Sequence, residues 1–91
     1  GLFFIMITIH KTELAVRSGV ENVCIPGTFL SMQVQYNKLI LWYIVNTELS
    51  NYNTIIIHKY MTGQEGYFEN KKFIGTYQFD ECTFVLHVFK E

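Results

Sequence analysis

The chain has little of several features that mark common functional classes. It contains one proline, one alanine and one aspartate among 91 residues, and only 16% of its residues are charged. A nucleic-acid-binding domain usually carries a basic face, whereas here the net charge is −1 and the seven basic residues are scattered. The apolar run at residues 2–7 is far shorter than the ~20 residues of a membrane helix, and it lacks the basic flank and cleavage site of a signal peptide. We therefore expect neither a nucleic-acid polymer nor a membrane as a partner.

Motifs for metal binding and nucleophilic catalysis are also missing. The two cysteines, Cys24 and Cys82, form no CxxC pair and have no pair of histidines nearby, which argues against a structural zinc site. Their spacing does not imply a disulfide, and we expect two buried, reduced thiols. The sequence has no GxSxG nucleophile elbow and no glycine-rich phosphate loop. We expect a protein that is not an enzyme and that carries no cofactor and no metal.

Residues that favour β-structure are abundant. Valine, isoleucine and threonine together number 25 and aromatic residues number 15, so 40 of the 91 residues prefer a pleated, half-buried surface. No long segment places apolar residues at helical spacing. Apolar and alternating runs between turn residues predict seven strands, at residues 3–14, 20–25, 29–36, 39–46, 54–61, 71–79 and 83–89. Residues 1–91 are therefore predicted to form a single all-β domain, either a small antiparallel sandwich or a partly open barrel.

Local patterns predict how some of these strands pair and face. The third and fourth strands are expected to form a hairpin through a turn at residues 37–38, and the sixth and seventh strands another. The fourth strand is apolar on both faces, so we expect it to be central and covered on both sides. In the sixth strand Phe73, Tyr77 and Phe79 fall on one face. Gly75 among these bulky residues indicates a bulge or a close approach to another backbone.

Five short segments of the chain form an ordered series. They are IHK at residues 9–11, LSMQVQ at 30–35, LWYIV at 41–45, FIGTYQ at 73–78 and HVF at 87–89. In order, spacing and terminal position they resemble a family of small uncharacterised proteins of tailed bacteriophages. The resemblance implies a phage gene expressed in the cytoplasm of an infected bacterium, and it carries over no catalytic residue because that family has no assigned chemistry. Residues 1–5 lie upstream of where the family begins, and we interpret them as a tag remnant or an N-terminal extension.

The three histidines are the residues best suited to catalysis or metal binding. His10, His58 and His87 each lie within or near the end of a predicted strand. His58 and His87, with Lys59 beside the first, imitate a general acid–base pair with a cation for a phosphodiester. Three histidines are also a formal set of metal ligands. We favour the ordinary alternative, in which each histidine is a strand residue satisfied by a hydrogen bond or by solvent.

The longest irregular segment, residues 62–70, is the best candidate for a binding loop. Its first residues offer backbone N–H groups, a hydroxyl and an amide, and the lysines that flank it suit anionic oxygens. The aromatic residues around it have the flat faces on which a nucleobase stacks. The predicted ligand-binding residues are His58, Lys59, Tyr60, Thr62, Gly63, Gln64, Tyr67, Phe68, Lys71, Lys72 and His87. An ordinary hydrated hairpin loop is the alternative.

The missing catalytic motifs, the binding loop and the phage resemblance together suggest a function by analogy. We expect a non-enzymatic counter-defence protein that sequesters a nucleotide-derived immune signal of the host, of the cyclic nucleotide or cyclic ADP-ribose type, in the host cytoplasm. The alternatives are a protein-binding inhibitor of a host defence enzyme and a phosphodiesterase-like enzyme that cleaves such a signal. A long first strand at a sheet edge invites aggregation, so we expect a homo-oligomer. Aromatic residues beyond the core, Phe3 and Phe4 at the start and others around the loop, indicate one surface for association and one for a ligand.

Overall fold

The computed structural model describes residues 6–48 and 51–91, which form seven β-strands. They are β1 (Ile7–Leu14), β2 (Gly19–Ile25), β3 (Thr28–Gln35), β4 (Lys38–Asn46), β5 (Asn53–Met61), β6 (Lys72–Phe79) and β7 (Phe84–Lys90). The ends of β2 to β7 differ from the predicted ends by one residue at most, and the predicted start of the first strand, at residues 3–5, lies outside the described residues. Nowhere in the described parts of the chain is there a helix long and apolar enough to cross a membrane.

The strands form two antiparallel sheets that pack face to face. One sheet has three strands in the order β1-β4-β3, and the other has four in the order β2-β5-β7-β6. The predicted hairpins β3–β4 and β6–β7 are both present. Strand pairing does not continue from one sheet into the other within residues 6–48 and 51–91, so the strands form a sandwich and not a barrel. The sandwich alternative of the sequence prediction is therefore confirmed.

The core lies between the inner faces of the two sheets. Leu39 and Leu41 of β4 are fully buried, as are Ile57, Leu86 and Val88 of the four-stranded sheet. Withdrawing a side chain of this size from water contributes roughly 1.5–3 kcal/mol. Because successive residues of a strand point to opposite faces, Ile55 and Ile57 of β5 and Leu86 and Val88 of β7 enter this core. The residues between them face outward.

The position of β4 is partly as predicted. It is the central strand of its sheet, but no strand of the described chain lies on the outer face of that sheet. Long side chains shield the outward apolar residues instead: the Lys11 Nζ lies 5.4 Å from the centroid of the Trp42 ring, and Ile40 is buried. The Trp42 Nε1–H is buried there without a hydrogen-bond partner in the described part of the chain. The expectation that β4 is covered on both sides by other elements is wrong.

The turn of the β3–β4 hairpin is shifted by one residue from its predicted place. Tyr36 and Asn37 have φ values of 51° and 60°, as the two central residues of a type I′ turn require. The Asn37 side chain then reaches the turn of the other hairpin, where its Nδ2 donates to Asp80 Oδ1 and its Oδ1 accepts from Asp80 N, both at 2.8 Å. These two hydrogen bonds join the two hairpin turns, and therefore the two sheets, at one end of the sandwich.

A β-bulge between Phe73 and Gly75 changes which residues of β6 face the core. The glycine was predicted to mark a bulge, and this is confirmed; a Cβ at Gly75 would lie 2.6 Å from the Tyr77 hydroxyl oxygen. The extra residue in the bulge reverses the alternation. Phe79 is consequently buried in the core while Phe73 is 53% exposed on the outer face. The prediction that these residues share a face is wrong for Phe73.

The two cysteines do not lie where the sequence suggested. Cys24 is exposed, because the alternation that buries Val23 and Ile25 turns the residue between them outward. Cys82 is exposed in the β6–β7 turn, where its thiol donates a hydrogen bond to Gln78 Oε1 at 3.0 Å. Neither is part of a disulfide. The expectation that both thiols are buried is therefore wrong.

Candidate functional site

A group of aromatic side chains gathers on the outer face of the four-stranded sheet. Tyr60 faces outward from β5, opposite His87 of β7. Phe89 lies two residues further along β7 and has Phe73 of β6 as its cross-strand partner. The ring centroids of Tyr60 and Phe73 lie 5.8 and 5.3 Å from that of Phe89. These separations are within the range in which aromatic pairs attract one another.

The loop at residues 62–70 closes one side of this group. The Phe68 ring lies 4.9 Å from the Tyr60 ring and 4.8 Å from the Phe89 ring, measured between centroids. A Cβ at Gly66 would lie 2.6 Å from Tyr60 Cε1, so glycine allows the loop to run against the rings. The recess enclosed by the loop and the rings has a volume of about 320 Å³ and is open to solvent. We call it the aromatic concavity.

The aromatic concavity brings together six of the eleven residues predicted for the ligand site. The six are Tyr60, Thr62, Gly63, Gln64, Phe68 and His87. The sequence analysis missed four further lining residues, Met61, Phe73, Thr76 and Phe89. The sequence could have indicated one of them, Phe89, as a site residue. It follows His87 by two positions, and strand alternation places such residues on one face. No such indication existed for Phe73, because the bulge reverses its direction.

The polar edge of the concavity is centred on His87. Its Nε2 lies 2.8 Å from the Thr62 hydroxyl oxygen and its Nδ1 lies 3.0 Å from the Thr76 hydroxyl oxygen. A hydroxyl both donates and accepts, so either tautomer of a neutral imidazole is satisfied by this pair of threonines. Gln64 closes the adjacent turn, since its Oε1 accepts from Met61 N at 3.0 Å. The edge therefore consists of groups fixed by hydrogen bonds, with no lysine, arginine or carboxylate among the described residues that line it.

Lys59 does not belong to the concavity. It lies between His58 and Tyr60 on β5, and the alternation that turns those two residues outward turns Lys59 inward, where it is 2% exposed. Its Nζ donates to the Ala15 carbonyl oxygen and to Glu21 Oε1, both at 2.6 Å. Glu21 Oε1 also accepts from Ala15 N at 3.1 Å. The prediction that Lys59 contacts a ligand is wrong, because its ammonium group holds the β1–β2 connection onto the four-stranded sheet.

Tyr67, Lys71 and Lys72 also lie outside the concavity. The Lys71 ammonium donates to the Tyr67 carbonyl oxygen and lies 5.2 Å from the centroid of the Tyr67 ring. The Tyr67 hydroxyl donates to Glu69 Oε2 at 2.6 Å, and this hydrogen bond, with a smaller contribution from burial, raises the pKa of the tyrosine. Lys72 lines a different cavity. No lysine of the described chain therefore lines the aromatic concavity.

The three histidines do not converge. His10 lies on the other sheet, with its ring 6.0 Å from the ring of Tyr43. His58 shares the outer face with His87, but its Nε2 is 2.7 Å from Glu91 Oε2. Within residues 6–48 and 51–91 no group of three or more His, Cys, Asp or Glu side chains is placed to hold a metal ion. His58 and His87 share the outer face, but each already has hydrogen-bond partners.

Fold and site together define a small antiparallel β-sandwich with a recess lined by aromatic rings on one outer face. The chain belongs to the family described as a domain of unknown function, DUF7352, whose family model matches residues 6–91. No curated protein and no solved structure shows a significant match to the chain. The family description names no activity.

Proposed function

We propose that this protein is a non-enzymatic binding protein that sequesters a nucleotide-derived immune signal, and that the aromatic concavity holds the base of that ligand. One observation carries the proposal: four aromatic rings and a hydrogen-bonded polar edge surround a recess of about 320 Å³. Stacking of a base on an aromatic side chain contributes ~1–3 kcal/mol and needs no particular base sequence. The recess therefore suits a planar ring with hydrogen-bonding atoms on its edge.

The polar edge supports recognition of such a ring. Thr62 and Thr76 each use their hydroxyl in a hydrogen bond to His87. A hydroxyl has one donor and two acceptor sites, so each threonine keeps capacity for a ligand atom. The imidazole between them fixes both hydroxyls in place. Fixed groups lose less conformational freedom on binding, which favours affinity.

The phage setting of the proposal is supported by the segments that resemble tailed-phage proteins. Two of these segments, residues 73–78 and 87–89, supply Phe73, Thr76, His87 and Phe89 to the concavity. The segments that carry the resemblance thus also build the site. We propose on this ground that the protein acts against a host defence system in the cytoplasm of the infected cell.

A protein-binding inhibitor of a host defence enzyme is the second candidate, and the exposure of the rings favours it. Phe68 is 45% exposed and Phe73 is 53% exposed at the rim of the concavity. Exposed aromatic residues next to a recess are typical of the centres of protein interfaces. The concavity also lacks lysines that would meet the phosphates of a nucleotide. A side chain of a partner protein would then occupy the place of the base.

The proposal is tested by calorimetry on the full chain with cyclic dinucleotides and with cyclic ADP-ribose isomers. The variant Phe89→Leu keeps an apolar side chain but removes the ring that contacts Tyr60, Phe68 and Phe73. We expect one ligand of this class to bind the wild type and to bind Phe89→Leu about tenfold more weakly, since one stacking contact is worth ~1–3 kcal/mol. His10→Gln, on the other sheet, is the matched control and should bind like the wild type.

Protein recovered from infected cells distinguishes the candidates. Release of an intact nucleotide after denaturation supports sequestration, whereas co-purification of a single host protein that is lost with Phe89→Leu supports the inhibitor. Conversion of the added signal to a cleaved product, detected by mass spectrometry, would instead support the phosphodiesterase alternative on His58 and His87. Binding of no signal to the wild type would exclude the proposed function.

We also propose that the protein forms a homo-oligomer through β1. This strand is an edge of the three-stranded sheet, and Ile7 and Ile9 on it are 61% and 57% exposed. An exposed apolar edge strand is a template for pairing with a second chain. The variant Ile9→Lys is expected to convert the oligomer to a monomer in light-scattering measurements. Val20→Lys is the control, because Val20 is 64% exposed on β2, an edge of the other sheet; a monomeric wild type, or equal effects of both variants, would contradict the proposal.

A further inference from the structure

A second cavity opens where β6 begins and β7 ends. Its volume is about 400 Å³, and it is lined by the first residues of β3 and β5 and by the side chains of Lys72 and Lys90. Gly27 shapes the wall formed by the β2–β3 link. A Cβ at this position would lie 1.9 Å from the carbonyl oxygen of Ile44, so only glycine lets the link run this close to β4. We call this space the lysine cavity.

Among the described residues that line the lysine cavity, Lys72 and Lys90 carry a positive charge and none carries a negative one. Lys72 and Lys90 are direct partners across the β6–β7 pairing, and like charges in this arrangement are destabilising. Neither ammonium group forms an ion pair within the described chain. The Lys90 Nζ lies 5.7 Å from the centroid of the Phe29 ring. Glu91, which follows it, is directed instead to the outer face, 2.7 Å from His58.

We infer that the lysine cavity binds a phosphate group. A phosphomonoester carries a charge of about −1.5 to −2 at neutral pH, which balances two ammonium ions and removes their mutual repulsion. Lysine recognises phosphate as a point charge and needs no bidentate geometry. Thr28 and Thr54 also line this space. The Asn53 amide is held there by its hydrogen bond to the Gly27 carbonyl oxygen, at 2.7 Å.

The lysine cavity is distinct from the aromatic concavity. Phe73 and Phe89, the neighbours of the two lysines along β6 and β7, line the concavity on the outer face of the sheet. Lys72 and Lys90 are displaced by one residue along the strands and therefore point to the opposite, inner face. The strand backbones separate the two sites. The inference therefore does not depend on the proposed function.

The inference is tested by NMR titration of the full ¹⁵N-labelled chain, with inorganic phosphate in one arm and glycerol phosphate in the other. Amide resonances of residues 27–29 and 53–55 are expected to shift in a saturable way. Lys72→Gln and Lys90→Gln should each weaken binding about tenfold, since a hydrogen bond to a charged group contributes about 1.5–3 kcal/mol. Lys38→Gln, which removes an exposed lysine on the other sheet, should leave the affinity unchanged.

The two titration arms and the control variants each give a result that supports or overturns phosphate binding at the lysine cavity. Saturable binding in either arm supports the inference, and tighter binding of the ester identifies a phosphate carried by a larger molecule. Sodium chloride at the same ionic strength should shift none of these resonances. An unshifted spectrum in both arms would overturn the inference, and a higher Tm of Lys72→Gln would then mean that the lysines are only a repulsive pair. Equal weakening by Lys38→Gln would overturn it as well.

Discussion

The two faces of the four-stranded sheet are made by alternate residues of the same strands, yet they differ in how far their groups are satisfied. On the inner face, Lys59 is 2% exposed and its ammonium group is held by Glu21 and by the Ala15 carbonyl oxygen. On the outer face, Phe68 and Phe73 keep about half of their surface in water although they lie beside other rings. The Lys59 ammonium group has completed its contacts within the chain, and the rings of Phe68 and Phe73 have not.

Because of this difference, we expect some single substitutions to change mainly stability and others to change ligand binding as well. A buried charge with its partners in place destabilises the fold when one partner is removed. A half-exposed ring contributes less to folding, and its remaining surface is available to a second molecule. Substitution of Lys59 should therefore change the free energy of unfolding and spare ligand binding at the aromatic concavity by the folded protein. Substitutions of the outer-face rings should lower ligand affinity more than substitution of Lys59 does.

Lys59→Met is expected to have the largest effect on stability. It leaves the Glu21 carboxylate and the Ala15 carbonyl oxygen without their donor. We expect a loss of about 3 kcal/mol, the low end for a broken buried pair, because the Glu21 side chain is 30% exposed. Urea unfolding monitored by Trp42 fluorescence measures this loss.

Two further variants check this interpretation of Lys59. Lys38→Met removes one member of an exposed ion pair, 3.7 Å from Glu13, and should cost less than about 1 kcal/mol. Adding Glu21→Gln to Lys59→Met should restore part of the stability, because the partly buried carboxylate that has lost its lysine is then gone. A stability of Lys59→Met equal to that of the wild type would mean that the inner and outer faces do not differ in this way.

Phe89→Leu is expected to have an intermediate effect on stability. It removes three aromatic contacts, to Tyr60, Phe68 and Phe73, but keeps most of the apolar volume. We expect a loss of about 1.5 kcal/mol, within the range for aromatic pairs in partly buried positions. The same unfolding measurement applies. A loss as large as that of Lys59→Met would show that the outer face is a second core, and the comparison of the two faces would fail.

Among Lys59→Met, Phe89→Leu and Tyr77→Phe, the last is expected to cost the least stability at neutral pH. It should also change how stability depends on pH in the alkaline range. The Tyr77 hydroxyl donates to the Met32 carbonyl oxygen of the other sheet at 3.2 Å, and its loss should cost about 1 kcal/mol. Burial raises the pKa of Tyr77 above its ordinary value of 10.0. A raised pKa in the folded state means that this contribution is complete below pH 10 and is lost as the pH rises through the folded pKa. The free energy of unfolding should therefore fall more steeply with rising pH for the wild type than for Tyr77→Phe. Parallel curves for the two proteins would contradict this role of the Tyr77 hydroxyl.

Most of the fold was predictable because strand alternation is a local property. The run from Leu39 to Asn46 and the turn residues on either side of each strand depend on near neighbours only. The misplaced residues are those whose orientation depends on pairing. Phe73 faces outward because β6 has one residue more than β7 at the bulge. The alternating sequence pattern does not show to which face this extra residue turns Phe73.

Apart from His87, the candidate site was predictable only where its residues lie close together along the chain. Thr62, Gly63 and Gln64 adjoin Tyr60 along the chain and do line the concavity. Lys59 also adjoins Tyr60, but alternation sends it to the opposite face. Lys90 received no role in the sequence analysis, since only the register of β6 and β7 places it opposite Lys72. The positions of the lysines along the chain therefore did not predict which of them lie at the aromatic concavity or at the lysine cavity.

By itself the sequence determined that the chain is a β-protein of seven strands, because β-branched and aromatic residues in alternating runs have one favourable way to bury their apolar faces. Tertiary structure alone decided the rest. It placed the rings of Tyr60, Phe68 and Phe89 around one recess and turned the lysine between His58 and Tyr60 into the core. It also set Lys72 against Lys90. These outcomes depend on register and on the bulge, which are fixed by contacts between strands that lie far apart in the chain.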